Sequence, residues 1–260
     1  MTRIVKIGGR AQQAPELVPV LAAAWREAPG ALVIVHGGGD EVTELQRLMG
    51  REPQFVDGRR VTTDDDIGLL RMTLSGVINK RLVAALVGAG IPAVGISGED
   101  AAVLSAVQMD STMGRTGQPE IADVTLVRHL LAGGFLPIIS PIARDASSTG
   151  ADALNVNGDD AAAALAGALG ATELLLVADV PGVLDAGRPM TSLDGTAVRA
   201  LVASGTVTAG MIAKLEAAVH ALAAGVSLVR IGDLTAVSDD TVGTRIIAGS
   251  VAQSLSPAFA

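Results

Sequence analysis

The chain has 260 residues, no cysteine, 2% aromatic residues and a formal net charge of −8. These values exclude disulfides and thiolate metal sites, and they lack the basic, ring-bearing footprint of a nucleic-acid binder. Hydrophobic residues make up 49%, enough for a large core, yet no apolar run reaches the roughly 18 residues that would span a bilayer.

In chain order, the opening MTRIVKIGG passes at once into a strand, Arg3–Ile7, ended by Gly8 and Gly9. It has no secretory pattern, so a cytoplasmic location is expected. Residues 15–27 have helical spacing, 31–35 form the next apolar strand, and a helix is predicted over 40–49. PQFVDGRRVT (residues 53–62) predicts a hairpin turning at Asp57-Gly58. Asp64, Asp65 and Asp66 supply acidic capping and first-turn residues to a long helix ending near Gly88 or Gly90. PAVGIS is another strand, 102–109 part of a short antiparallel excursion, 125–132 a helix and 136–139 a strand. The small, polar stretch 144–160 reads as loop or hairpin opening into an alanine-rich helix. Residues 173–183 predict a strand with a Pro-Gly stop, followed by helices near 196–203 and 209–224 and a strand at 228–231. The last twelve residues read as a loosely held tail. Alternating strands and helices imply an α/β architecture, a mainly parallel sheet with helices on both faces.

Several short stretches call for chemistry. HGGGD places three glycines between a strand and a helix, where bare backbone N–H groups can face an anion. It is not a dinucleotide fingerprint, because the third position of that pattern is Val42, and no phosphate-binding GxxxxGK[ST] loop occurs anywhere. Of 19 basic residues only Lys6, Lys80 and Lys214 are lysine. In a chain that prefers arginine, the compact ammonium at those three positions invites a specific reason. The histidines, His36, His129 and His220, have no metal-ligand spacing and read as structural. NVNGDDAA puts amides and carboxylates at a helix mouth. Asn157 or Asp159 can cap that helix, but capping has no use for Asn155.

Taken in order, KxGG, VHGGG, GxRVT, NVNxDxAA, DVPGVL and GMIxK resemble the amino acid kinase family, over essentially residues 3–247. The resemblance is strongest to the branch that phosphorylates N-acetyl-L-glutamate. It implies a three-layer α/β/α sandwich with two lobes. Residues 1–172 would bind the amino acid and dimerise, and 173–260 would bind ATP, whose phosphates would hold Mg²⁺ without a dedicated protein metal site. The implied reaction moves the γ-phosphoryl of ATP onto the side-chain carboxylate of N-acetyl-L-glutamate, the second step of arginine synthesis. The matching positions make Lys6, Lys214 and Asp159 catalytic, with Gly38, Gly39, Arg60 and Asn155 holding the amino acid. The nucleotide would meet Gly8, Gly9, Asp179, Val180, Pro181, Gly182, Val183, Leu184, Thr206, Val207 and Thr208. Lys80 falls on a recurrent lysine of the long helix, where a structural role is expected. A kinase of N-succinylglutamate or of carrier-linked aminoadipate, and a silent binding protein on the same fold, are the alternatives.

The chain departs from the family pattern in places. Arg59 beside Arg60 leaves open which of the two points inward, Gly158 stands where alanine is usual, and GRTG replaces the commoner GHVG at residues 114–117. Only Met1 and Thr2 precede the first strand, which leaves no N-terminal helix of the kind arginine-inhibited hexamers carry. A homodimer insensitive to arginine is the expectation, with small-molecule substrates and neither nucleic acid nor membrane as partner.

Overall fold

The computed structural model describes residues 2–205 and 207–248. The expected tail and Thr206 lie outside the described residues. One eight-stranded sheet forms the middle layer. Its order is Ser192–Asp194, Thr244–Ile247, Leu228–Gly232, Glu173–Val177, Arg3–Ile7, Leu32–His36, Leu136–Ser140 and Ala93–Ser97. Every neighbouring pair is parallel except Leu228–Gly232 with Thr244–Ile247. The strands Leu32–His36 and Leu136–Ser140 are buried along their whole length, as continuous apolar runs covered on both faces should be. The expected α/β sandwich is the fold observed.

The opening strand is internal to the sheet. It pairs with Leu32–His36 on one side and, across a separation of some 170 residues, with Glu173–Val177 on the other. The apolar core follows the sheet from Ile4 to Ile246 without a break. A smaller cluster, including Val42, Ile67, Leu74, Ile78 and Ile142, sits under the first part of the long helix.

Two departures from the sequence reading have clear causes. The strand expected over 173–183 stops at Val177, and Val183 returns to the core from a loop, with its N–H donated to Thr244 Oγ1. The apolar run is therefore two buried pieces joined by a turn. The long helix begins as expected, with a capping box between Thr63 and Asp66. Residues Arg71–Ile78 then widen into a π-helical segment before Asn79–Gly88 resumes the α form. The antiparallel excursion closes on itself. Ser105–Gln108, Thr116–Ile121, Ile142–Asp145 and Ala153–Val156 form a small four-stranded barrel, whose last strand delivers Asn155 and leads into the helix Gly158–Leu169.

Candidate active site

Lys6 lies near the end of the opening strand, 6% exposed. At Gly8 the space beside its ammonium is already filled, since a Cβ there would lie 2.6 Å from Lys6 Nζ, while Gly9 takes a φ of +56°. Asp159 belongs to the first turn of the helix Gly158–Leu169. The cap of that helix is Asn157, whose Oδ1 accepts the Asp159 N–H at 2.8 Å. Since Asn157 satisfies the helix end, the Asp159 carboxylate is available for other partners. It takes both lysines. Lys6 Nζ is 2.8 Å from Oδ1, and Lys214 Nζ is 3.0 Å from each oxygen.

Lys214 arrives from the second turn of the helix Ala209–Ala223. That helix packs on Gly158–Leu169 through small residues, and a Cβ on Gly167 would stand 2.6 Å from that of Ala224. Alanines and a glycine thus permit the approach that lets two lysines, remote in sequence, share one carboxylate.

Burial drives the Lys6 ammonium down to about 8, opposed by Asp159 and reinforced by the neighbouring Lys214. For Asp159 burial works upward, but the two lysines more than reverse it and hold the carboxyl at about 2. At neutral pH the trio is therefore two ammonium groups on one carboxylate, with one positive charge in excess at the wall of a cleft.

The cleft has a volume of about 160 Å³ and is lined by Lys6, the glycines at 8, 9, 37, 38 and 39, Arg60, Thr116, Asn155 and Gly158, among others. A Cβ on Gly38 would collide with Ile78 Cδ1 and lie 2.7 Å from Leu74 Cδ2, both on the π segment. Only glycine lets the loop run this close to the long helix. A methyl on Gly158 would stand 3.0 Å from Lys6 Cε, so this departure from the family pattern leaves room for the lysine side chain.

His36, fully buried at the end of its strand, sets the loop. Its Nδ1 is 2.9 Å from the Gly37 carbonyl, and its Nε2 is 3.1 Å from Asn79 Nδ2. A carbonyl only accepts, so Nδ1 carries the proton and Nε2 receives the amide of Asn79. Burial lowers this imidazole to about 4, which keeps it neutral. Because a trans peptide points its C=O and N–H in opposite directions, holding the Gly37 carbonyl turns the Gly38 N–H away from His36. Sequence spacing assigned His36 no role; its position directly before the glycines was the available signal.

Arg60 and Asn155 meet the same cleft from other sides. The Arg60 guanidinium donates to Gly39 O and Thr43 Oγ1, each at 2.8 Å, and to Gln46 Oε1. It also stacks over the Phe55 ring at 4.7 Å. It is 7% exposed, and among the described residues no carboxylate pairs with it directly. A buried cation held by neutral acceptors suits an anionic ligand. Asn155 Nδ2 donates to Thr62 Oγ1 at 2.9 Å, while Thr62 and Thr116 both donate to the Arg60 carbonyl. Arg59 turns the other way, to Asp160 and Glu216, which resolves which of the two adjacent arginines points inward.

The residues expected at the nucleotide lie less uniformly. Asp179 and Pro181 are exposed, Val180 is half-buried, and the Asp179 carboxylate would lie 3.0 Å from a Cβ on Gly9. Gly182 and Val183 are buried, and Leu184 is partly open. Thr208 precedes the Lys214 helix, and its carbonyl accepts from Met211 and Ile212. Val207 is half-buried beside it. Lys80, the remaining lysine, touches the glycine loop only indirectly, through Asn79 and His36. It donates to Gly95 O at 2.8 Å and Asn79 Oδ1 at 3.1 Å, along the edge strand of the sheet.

Comparison with known proteins agrees with this arrangement. Acetylglutamate kinase of Chloroflexus aurantiacus is 40% identical over 253 residues, spanning 96% of this chain and 98% of that one. The enzyme of that name from a Roseiflexus species is 41% identical over 252 residues, 95% of this chain and 93% of the other. Among solved structures, smu.665 of Streptococcus mutans UA159 superposes with a TM-score of 0.85 at 31% identity, covering 95% of this chain and 99% of that one. Residues 1–233 match the sequence model of the amino acid kinase family. The lysine pair on its shared carboxylate, between glycine loops at the ends of parallel strands, therefore sits in a chain that belongs to the amino acid kinase family.

Proposed function

We propose that this protein transfers the γ-phosphoryl group of ATP to the side-chain carboxylate of N-acetyl-L-glutamate, as an acetylglutamate kinase of arginine synthesis. The observation that carries the reading is the convergence of Lys6 and Lys214 on Asp159 beside a glycine-lined cleft. Relatives bearing that enzyme name match nearly the whole chain at about 40% identity, which supports the choice of substrate.

The residues fit a polyphosphate. The Lys6 ammonium and a backbone stripped of side chains at Gly8 and Gly9 line the cleft, and Lys214 Nζ would stand 3.8 Å from a Cβ on Gly8. Among the described residues no trio of histidine and carboxylate side chains is grouped to hold a metal, so Mg²⁺ would be held by the phosphates. ATP so bound supplies the phosphoryl group. The protein's task is to bring an anion up to it.

A glutamate side chain is ionised well below neutrality, with a reference pKa near 4.3, so the acceptor needs no general base. Charge repulsion is the obstacle, and positioning and electrostatic stabilisation are what such transfers require from a protein. Lys6 and Lys214 offset the charge, and Asp159 fixes their spacing by accepting from both. The guanidinium of Arg60, already desolvated and, among the described residues, paired with no carboxylate directly, holds the acceptor's α-carboxylate. Asn155 serves the N-acyl amide. Gly38 and Gly39 offer backbone to the anion, and Asp179 to Leu184 with Val207 and Thr208 form the nucleotide side. The work divides between lobes near residue 172. We also assign the protein to homodimers, because Met72, Val77 and Val87 leave an exposed apolar surface along the long helix.

A hydroxamate-coupled assay with ATP and a panel of acceptors tests the reading. N-acetyl-L-glutamate should be turned over at least tenfold more efficiently than glutamate, N-succinylglutamate or acylated aminoadipate. Equal or better use of another acylated acid would reassign the substrate, and turnover of none would leave a binding protein on a kinase fold.

A further inference from the structure

The hairpin that presents Arg60 is too small to hold its own position. Its strands are Phe55–Val56 and Arg59–Arg60, two residues each, and Phe55 and Val56 are about half exposed. A two-stranded ribbon of this size has little stability by itself, so its placement must come from contacts outside it. Because successive side chains on a strand point to opposite faces, the two side chains diverge, Arg60 to Gly39, Thr43 and Gln46 and Arg59 to Asp160 and Glu216 at the border of the cleft.

The contacts of Arg59 are specific. Its Nε and Nη2 form a fork on the two oxygens of Asp160 at 2.9 and 3.2 Å, and Nη1 lies 3.1 Å from Glu216 Oε2. Asp160 follows Asp159 on one helix, and Glu216 is two residues beyond Lys214 on the other. Both Arg59 and Asp160 are buried, with side-chain exposures of 11% and 9%. The turn of the hairpin makes a second contact with the same helix. Gly58, at φ +77°, sits so close that a Cβ would stand 2.7 Å from the Ala209 carbonyl. Arg59 also lines a second cleft of about 390 Å³ behind the site, which makes the ion pair the partition between the two.

We propose that Arg59 is a positioning residue, a latch that ties the acceptor-binding hairpin to the two helices carrying Asp159 and Lys214. It rests on the functional reading above for its kinetic consequence but not for its structural one. Through the latch, the guanidinium that grips the acceptor and the ammonium groups that face the phosphoryl are held at one fixed separation. The fork matters, since a lysine supplies charge without the paired, planar bonds.

The test combines hydrogen exchange on the ligand-free protein with steady-state kinetics. Arg59→Gln should speed exchange of the amides of residues 55–61 at least tenfold. It should raise KM for N-acetyl-L-glutamate at least tenfold while KM for ATP moves less than twofold, and Arg59→Lys should fall between. Because Arg59→Gln strands a buried Asp160, the double variant Arg59→Gln/Asp160→Asn is measured beside it. That variant should recover the melting temperature yet keep fast hairpin exchange and the raised KM. Wild-type exchange and wild-type KM in the double variant would reduce the pair to structural glue and overturn the proposal. If the wild-type protein phosphorylates none of the acceptors while Arg59→Gln still loosens the hairpin, the functional reading fails and the latch stands.

Discussion

Lys6 shows the conflict between folding and chemistry most plainly. Its ammonium titrates at about 8 in the folded protein against 10.5 ordinarily, chiefly because it is buried. Above that pH the protein loses the charge that the proposed mechanism assigns to Lys6, so under that proposal kcat/KM should fall tenfold per unit beyond about pH 8. The limit on kcat should lie higher, because phosphate beside Lys6 favours its charged form; a pH series of initial rates separates the two. Stability runs the other way. Between pH 8 and 10.5 the unfolded chain binds more protons at this residue than the folded one, so its contribution to stability rises with pH as activity falls. Lys6→Met should abolish turnover without lowering the melting temperature at pH 7, and its advantage over the wild type should shrink from pH 8 to 10.5 in calorimetry. Asp159 follows the same direction in a lower window, its favourable contribution present above 3.8 and lost as the pH falls toward 2. Lys6→Arg and Lys214→Arg, tested by the same rate assay, should lower kcat by about a hundredfold or more while the protein stays folded, as losing a placed charge at a reacting group does. An unimpaired variant would remove that lysine from the mechanism.

At the scale of elements, what the sequence revealed follows from where each signal resides. The Asp57-Gly58 turn, the acidic first turn of the long helix and the capping of Gly158–Leu169 are local, and each could be read from a few consecutive residues, although the cap of the long helix is Thr63 and none of the three aspartates. The choice between Asn157 and Asp159 as cap was not local; it was decided by lysines arriving from two other elements. Two-residue strands carry too little alternation to say which arginine turns toward the glycine loop. Thr244–Ile247 went unassigned because four residues in TRII make no apolar run, and its two neighbouring strands, Ser192–Asp194 and Leu228–Gly232, define it. The π segment Arg71–Ile78 leaves no mark in composition either, since its residues would suit an α-helix. Such segments are uncommon and concentrate at functional sites, and here it brings Leu74 and Ile78 against Gly38. Gly38→Ala should therefore cost about 1–3 kcal/mol of stability through overpacking. It should also lower kcat/KM for the acceptor at least tenfold, as read by denaturant unfolding and by the coupled assay.

Over the whole molecule, the sandwich could be read early because buried parallel strands are written as largely apolar runs, as in Leu32–His36, Leu136–Ser140 and Glu173–Val177. Self-association was a different matter, since no pattern within one chain names its partner surface. If the exposed side chains of the long helix bury one another between two copies, Met72→Glu with Val77→Asp should convert the dimer to monomer in light scattering with the fold intact. A protein that is monomeric before substitution would refute the assignment.

The internal place of Arg3–Ile7 in the sheet has a consequence for biogenesis. During synthesis this segment emerges long before Glu173–Val177, so one of its flanks must wait, its hydrogen-bonding groups unanswered, while two thirds of the polypeptide are made. Such distant pairing delays folding and prolongs exposure to aggregation. Soluble yield should therefore rise with added chaperone or with slower translation at lower temperature, as expression trials would read.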